Sequence, residues 1–218
     1  MSRRTALAQL GDLAAEQWGM VTTAQARRAG VSSLDLARLA SDGILAPVSG
    51  AARVYRVTST PESPDLDPLR AAWLQLGGGR SWEERSLDMD AVVSHRSAAH
   101  LRGFGDLIPE VHEFYVVRRR QLRRTDLLLR VRPAISRSDW EFVDGMPASR
   151  PEQMVADLLA DHEDESAVAQ IVHDAHRAGL LTPSQLTEVV APHARRYGHR
   201  TGADLATMLL AGAEGVES

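Results

Sequence analysis

Hydrophobic positions in the first sixty residues follow a helical spacing three times and then alternate. Apolar residues at helical spacing over 5–18 predict a first helix. Polar capping residues precede two further runs with the same spacing, one ending near Ala29 and one beginning after Ser32. The alternation that follows Gly43 predicts a β-hairpin. This order of elements is that of a winged helix-turn-helix over residues 1–60.

The turn between the second and third predicted helices is the most informative part of this region. A tight helix-turn-helix needs a glycine at its corner, an apolar residue after it and a cap for the next helix. Gly30, Val31 and Ser32 supply these three in order. The turn therefore indicates a DNA-binding winged helix.

A polar segment with three prolines, 58–68, indicates a domain boundary. A helix is predicted at about 67–76, followed by a loop at 77–88. Strands are then predicted at about 91–93, 111–117, 127–131 and 140–143, with helices near 94–101, 151–161, 164–178, 183–191 and 201–212. We therefore predict an α+β protein in which a winged helix-turn-helix domain at 1–60 precedes a mixed α/β domain at 61–218, with a small sheet and C-terminal helices.

Composition removes several kinds of chemistry. The chain has no Cys, which excludes disulfides, thiolate catalysis and zinc fingers. All 25 basic residues are Arg, so Schiff-base and Walker-type phosphate sites lose their lysine. His173 and His176 are a weak metal pair without further ligands. No apolar run approaches the roughly 18–20 residues of a membrane span. We expect a cytoplasmic protein with no catalytic residue, no metal, no cofactor and no membrane partner.

Charge is unevenly distributed along the chain. Residues 1–60 hold seven Arg against four acidic residues, and 111–135 hold seven against two. Residues 136–218 hold six Arg against fourteen acidic residues, a net charge of −8. Two basic segments and an acidic C-terminal part predict different partners for different surfaces.

The third helix of a winged helix usually enters the major groove, while the wing contacts phosphate or the minor groove. Arg38 is the one strong base-reading candidate on that helix, since a guanidinium matches the two acceptors of guanine. Hydroxyls at helix N-termini suit phosphate, and wing arginines do too. The predicted DNA contacts of this domain are Thr23, Ser32, Ser33, Arg38, Arg53 and Arg56.

The densest basic cluster lies in a loop between two predicted strands of the second domain. It is either a solvated hairpin tip or a second contact with a nucleic-acid backbone. Its members are Arg118, Arg119, Arg120, Arg123 and Arg124.

Short motifs along most of the chain resemble the AbiEi family, the antitoxins of type IV toxin–antitoxin systems. The N-terminal motifs are Gly19 to Ala26, Gly30-Val31-Ser32 and Val54-Tyr55; those of the second domain are Val92 to His95, Ser97 to Ala99, Asp144-Gly145 and Arg150-Pro151-Glu152. The family often has several basic residues in its third helix, whereas Ser33, Leu34 and Ala37 stand at most of those positions here.

The resemblance implies a non-enzymatic antitoxin that represses its own promoter by binding inverted repeats, and that counters a nucleotidyltransferase-type toxin. Such a toxin needs a basic cleft, which an acidic helical face would complement electrostatically; the alternative is that these acidic residues only keep the protein soluble. The predicted toxin-facing residues are Glu152, Asp157, Asp161 and Glu163. Two alternatives stay open: a winged-helix regulator whose C-terminal domain senses a ligand, without a toxin, and a nuclease or nucleotidyltransferase.

Overall fold

The computed structural model describes residues 3–120 and 124–212. The chain divides into two compact units, Met1–Ala91 and Val92–Ser218. The sequence predicts a boundary after residue 60, whereas the first unit also contains the next thirty-one residues. The structure therefore confirms the predicted fold class, a winged helix followed by a mixed α/β unit.

The first unit has five helices and three strands among the residues described. They are α1 (Arg3–Ala15), β1 (Met20–Thr22), α2 (Thr23–Arg28), α3 (Ser33–Ser41), β2 (Leu45–Pro47), β3 (Val54–Val57), α4 (Asp67–Leu76) and α5 (Trp82–Leu87). The sheet has the order β1-β3-β2, with both pairings antiparallel. Three helices followed by a wing hairpin confirm the predicted winged helix-turn-helix.

Apolar side chains from α1, α2, α3 and the sheet form the core of this winged helix. Leu10, Val21, Ala26, Leu36 and Leu39 are all at most 2% exposed. Burying a Leu or Val side chain stabilises a fold by roughly 1.5–3 kcal/mol. This shared core fixes α3 against the other two helices, so its opposite face is directed to solvent.

Residues 61–91 pack with the winged helix through buried polar contacts. Arg56 of β3 pairs with Asp67 of α4, and both side chains are at least nine-tenths buried. Gln25 of α2 exchanges amide hydrogen bonds of 2.9 and 3.0 Å with Gln17. The Gln25 Nε2 also donates to the carbonyl oxygen of Arg80 at 2.8 Å. These contacts explain why the first compact unit extends beyond the proline-containing segment.

The sequence predicts a loop at 77–88, and this prediction is wrong because the segment contains α5. Ser81 caps this helix: the Glu84 amide donates to the Ser81 Oγ at 3.2 Å, and the Ser81 amide donates to the Glu84 carboxylate at 2.8 Å. The Arg85 side chain is fully buried, and its Nη2 donates to Asp90 at 2.8 Å. Reciprocal capping and a buried ion pair hold a helix too short for its periodicity to be recognised.

The second unit combines a five-stranded sheet with helices. Its elements are β4 (Ala91–Val93), α6 (His95–Arg102), β5 (His112–Val116), β6 (Leu127–Val131), a 3₁₀ turn (Arg137–Asp139), β7 (Trp140–Val143), β8 (Met146–Ser149), α7 (Pro151–Ala160), α8 (Glu165–Arg177), α9 (Pro183–Val190) and α10 (Gly202–Ala211). The strand order is β6-β5-β4-β8-β7. The pairs β5–β6 and β4–β8 are parallel, and β7–β8 is antiparallel.

The four helices that end this unit contribute apolar side chains to its core. Met154, Leu158, Ile171, Leu186 and Leu205 are at most 1% exposed. The sequence located these helices to within one or two residues, since each begins at a capping residue or a proline. Among the residues described, none of the helices has the length and apolar character needed to cross a membrane.

Candidate nucleic-acid interface

The third helix presents one face to the core and one to solvent, as a recognition helix requires. Ser32 caps it: its Oγ accepts from the Asp35 amide at 3.1 Å and donates to the Asp35 carboxylate at 2.6 Å. Leu36 and Leu39 face inward. The turn before it passes through Gly30 at φ 80°, a left-handed conformation that favours glycine. The turn and cap predicted from the sequence are therefore present.

Arg38 projects from the solvent face of α3. Its side chain is 67% exposed, and its Nη1 lies 3.6 Å from the Asp35 carboxylate. The hydrogen bond from the Ser32 hydroxyl lowers the pKa of Asp35, so this carboxylate is charged at neutral pH. An exposed ion pair of this length contributes little to stability. The guanidinium of Arg38 is thus exposed, as its predicted contact with a base edge requires.

The remaining solvent face of α3 is small or apolar. Ser33 and Ala37 are exposed, and Leu34 is 59% exposed. Leu34 lies beside Arg38 on the helix surface, and Ala37 lies beside both Leu34 and Ser33, because residues three and four apart are neighbours on a helix. The sequence had marked Ser33 as a contact, whereas Leu34 was assigned no role. Leu34 lies four residues before Arg38, and this spacing could have indicated that the two share the exposed face.

Thr23 lies at the start of α2 but is not its cap. The capping residue is Thr22, whose Oγ accepts from the Gln25 amide at 3.1 Å. The Thr23 hydroxyl instead donates to the carbonyl oxygen of Arg53 at 3.2 Å. Thr23 therefore joins α2 to the wing, and its contact with phosphate remains a prediction.

The wing places one arginine in solvent. Arg53 is exposed at the turn between β2 and β3, in a left-handed conformation at φ 66°. Its carbonyl oxygen accepts a hydrogen bond from the Thr23 amide at 2.9 Å. This backbone bond fixes the wing beside the N-terminus of α2. Arg53 is accordingly positioned as the wing's candidate phosphate contact.

Arg56 must be removed from the predicted interface. Its side chain is 5% exposed, pairs with Asp67 and donates from Nη1 to the carbonyl oxygen of Pro61 at 2.5 Å. Burial of an unpaired guanidinium is costly, and these partners compensate for it. Period-two alternation in β3 puts Arg56 on the same buried face as Val54. That alternation was the signal that could have assigned Arg56 to the interior.

The basic end of α2 is not among the contacts predicted from the sequence. Arg27 is exposed in the last turn of this helix. Its neighbour Arg28 is engaged by Glu84, with hydrogen bonds of 2.8 and 2.5 Å. Arg27 therefore adds an exposed positive charge to that of Arg38 in the helix-turn-helix.

The basic cluster of the second unit is only partly described by the structure. Arg118 and Arg119 are exposed after β5. Arg124 pairs with Asp126, and Arg123 lies outside the described residues. Arg120 is half-buried. A nucleic-acid contact at this cluster stays a prediction.

The four acidic residues predicted to face a toxin do not form a free acidic surface. Asp157 is buried, and its Oδ1 accepts from the Tyr115 hydroxyl and the Gln153 amide, each at 2.6 Å. Burial raises the pKa of Asp157 to about 6. Asp157 lies three residues after Met154 on α7 and so shares its buried face. This spacing could have indicated from the sequence that Asp157 is buried.

The other three acids are likewise held by internal partners. Asp161 pairs with Arg130, Glu163 accepts from the Arg96 Nε at 2.5 Å, and Glu152 accepts from the Gln185 Nε2 at 2.6 Å. The Glu163 side chain is 9% exposed. All four carboxylates therefore accept hydrogen bonds within the unit, two of them from arginines, so reversing these residues would disturb the fold before it tested a partner.

His95 adds a buried titratable group to the same region. Its Nδ1 lies 4.0 Å from the second carboxylate oxygen of Asp157. Burial, assisted by the charge of Arg130, lowers the pKa of His95 to about 3. A neutral His95 beside Asp157 belongs to the interior of the fold. No group of three or more potential metal ligands occurs in the described part of the chain.

Comparison with known proteins agrees with this geometry. The family model described as "Transcriptional regulator, AbiEi antitoxin" matches residues 9–49, which include the helix-turn-helix. No curated protein matches the chain. The solved structure of RV2827C protein from Mycobacterium tuberculosis is similar in fold, with a TM-score of 0.50 and 16% identity, over 95% of this chain and 77% of that one. The N-terminal segment is thus similar to a family of antitoxins and transcriptional regulators, and the resemblance inferred from the motifs is confirmed there.

Proposed function

We propose that this protein is a transcriptional regulator that binds inverted repeats in its own promoter and represses it. The observation that carries the proposal is the solvent face of α3, where Arg38 is 67% exposed at the side of a helix anchored by its opposite face. The wing residue Arg53 and the α2 residue Arg27 add exposed positive charge. An inverted repeat offers two half-sites, so two copies of the chain bind each operator.

The test is binding of the full chain to the DNA upstream of its own gene. Arg38→Ala should weaken specific binding by about 1–3 kcal/mol and relax preference at one base pair. Arg177→Ala is the matched control, because this arginine is exposed at the end of α8 in the second unit. Equal binding by wild type and Arg38→Ala on every sequence would refute the proposed recognition helix.

We further propose that the same chain neutralises a toxin of the nucleotidyltransferase type. The family description of the N-terminal segment as an antitoxin supports this role. The role is one of binding, and no catalytic residue is assigned to it. Arg38→Ala in the full chain should weaken repression while cells expressing the toxin are still protected. Loss of protection in that variant, with normal protein levels, would show that the two activities are not separable in this way.

A cavity in the second unit favours ligand sensing as a second candidate function. It has a volume of about 310 Å³ and lies beside the N-terminus of α7, where Arg150 and Glu152 line it together with Asp139 and Glu188. The Glu152 Oε2 and the Arg150 Nε are buried there without hydrogen-bond partners. A small molecule that raises the unfolding temperature of wild type but not of Arg150→Ala, and that releases promoter DNA, would support this alternative.

A further inference from the structure

The solvent face of α3 carries an apolar side chain where a recognition helix commonly carries hydrogen-bonding groups. Leu34 is 59% exposed, while Leu36 and Leu39 of the same helix are 2% and 1% exposed. Ala37 lies beside Leu34 on the exposed face. The core of the winged helix is therefore complete without Leu34, so this side chain can contact a partner.

Base edges in the major groove offer one apolar group, the 5-methyl of thymine. Leu34 and Ala37 are suited to contact it. Arg38, four residues after Leu34, is displaced by about 6 Å along the helix. Because bases stack about 3.4 Å apart, two side chains separated by this distance contact neighbouring base pairs and not the same one.

Charge on the same face favours DNA over a second copy of the chain as the partner. Arg38 is exposed beside Leu34, and Arg27 is exposed on the neighbouring helix. Residues 1–60 hold seven Arg against four acidic residues. Two such faces brought together would place like charges near each other, whereas phosphate complements them.

We infer that Leu34, assisted by Ala37, contacts thymine 5-methyl groups in the operator, one or two base pairs from a guanine that Arg38 contacts. This assignment rests on the proposed DNA binding and specifies what the bound half-site contains. It gives α3 a recognition mode based largely on apolar contact, with a single guanidinium for hydrogen bonding.

The experiment begins with selection of bound sequences from a random duplex library by the full chain. Each thymine of the selected half-site is then replaced by uracil, which removes only the 5-methyl group. For wild type, one or two of these replacements should weaken binding about fourfold, the equivalent of one buried methyl group. In Leu34→Ala, the same replacements should have no effect.

The matched control is Leu87→Ala, because Leu87 is 85% exposed at the end of α5. This variant should keep the full sensitivity to uracil, and circular dichroism should show both variants folded. Specific binding by wild type that ignores every uracil replacement would overturn the inference and leave DNA binding intact. A change of oligomeric state in Leu34→Ala with unchanged uracil sensitivity would make this face a contact between copies instead. Selection that enriches no sequence would overturn both the inference and the proposed function.

Discussion

The guanidinium of Arg56 on β3 and the carboxylate of Asp67 on α4 form a buried ion pair, with side chains 5% and 9% exposed. The pair joins the wing to the helix that follows the proline-containing segment. Arg56, which the sequence predicts to contact DNA, therefore stabilises the first unit instead.

The first prediction is that Arg56→Ala destabilises the protein instead of altering DNA contacts. Removing one partner of a buried pair typically costs about 3–5 kcal/mol, because the other charge is left uncompensated. Urea unfolding should show this loss for Arg56→Ala and also for Asp67→Ala. The double variant Arg56→Met with Asp67→Leu should lose less than the two single losses combined. Wild-type stability in Arg56→Ala would contradict the burial of this pair.

The second prediction concerns the minimal stable fragment. A fragment of residues 1–60 lacks Asp67 and Arg80, so Arg56 and Gln25 lose buried partners. A fragment of residues 1–91 retains them. We expect cooperative thermal unfolding for 1–91, and a broad or absent transition for 1–60. Equal stability of the two fragments would show that α4 and α5 are dispensable.

The third prediction separates phosphate contact from base contact. Arg53→Ala should reduce the slope of log K against log salt by about 1, since one phosphate contact is lost, and it should weaken binding to all sequences alike. Arg38→Ala should change sequence preference with little change in slope. Fluorescence anisotropy across a salt series distinguishes the two. An unchanged slope in Arg53→Ala would remove the wing from the interface.

The fourth prediction uses the charge of Asp35, whose pKa is lowered by the hydrogen bond from Ser32. A carboxylate 3.6 Å from the Arg38 guanidinium opposes the approach of phosphate. Asp35→Asn should therefore tighten binding to any DNA duplex, most strongly at low salt. The control is Asp12→Asn, an exposed acid on α1. Weaker binding by Asp35→Asn would instead indicate that Asp35 positions Arg38.

The fifth prediction concerns pH. Asp157 has a folded pKa raised from 3.8 to about 6, so the folded state holds its proton more tightly, and this group's contribution to stability falls as pH rises from about 4 to 6. His95 has a folded pKa lowered from 6.5 to about 3, so its contribution falls as pH drops below about 6.5. The two slopes oppose each other between about pH 4 and 6.

Two variants separate these contributions. Relative to wild type, Asp157→Asn should lose stability more steeply on acidification below about pH 6, because only the His95 slope remains. His95→Gln should lose relative stability as pH rises from about 4 to 6. Urea unfolding at pH 4, 5, 6 and 7 measures both. Parallel pH profiles for wild type and the two variants would show that neither group titrates as its burial requires.

The sequence predicted the local features of the fold well. The caps at Ser32 and Thr182, the glycine of the helix-turn-helix and the hairpin were all located from short-range patterns. Strand β8, Met146–Ser149, was missed because its four residues contain Pro147 and show no alternation. Capping residues and glycines thus indicate where most elements begin. They do not identify a strand as short as β8.

The candidate contacts were predicted less well, since burial depends on partners distant in the chain. Arg56 meets Asp67 eleven residues later, and Asp157 meets Tyr115 from a strand forty-two residues earlier. A basic or acidic side chain looks the same in sequence whether it faces solvent or a partner. Arg38 was correctly placed in solvent because it lies on a helix whose inner face was already assigned by spacing, and Arg53 because it lies in the turn of the wing.

The contacts of Gln25 and Arg28 have a consequence for the rate and strength of recognition. Gln25 is fixed by Gln17 and the Arg80 backbone, and Arg28 is fixed by Glu84. The helix that precedes the recognition helix is therefore held in place before DNA is encountered, and little conformational entropy is lost on binding. A preorganised unit of this kind should bind in a single kinetic step, with an association rate set by electrostatic steering rather than by rearrangement of the protein.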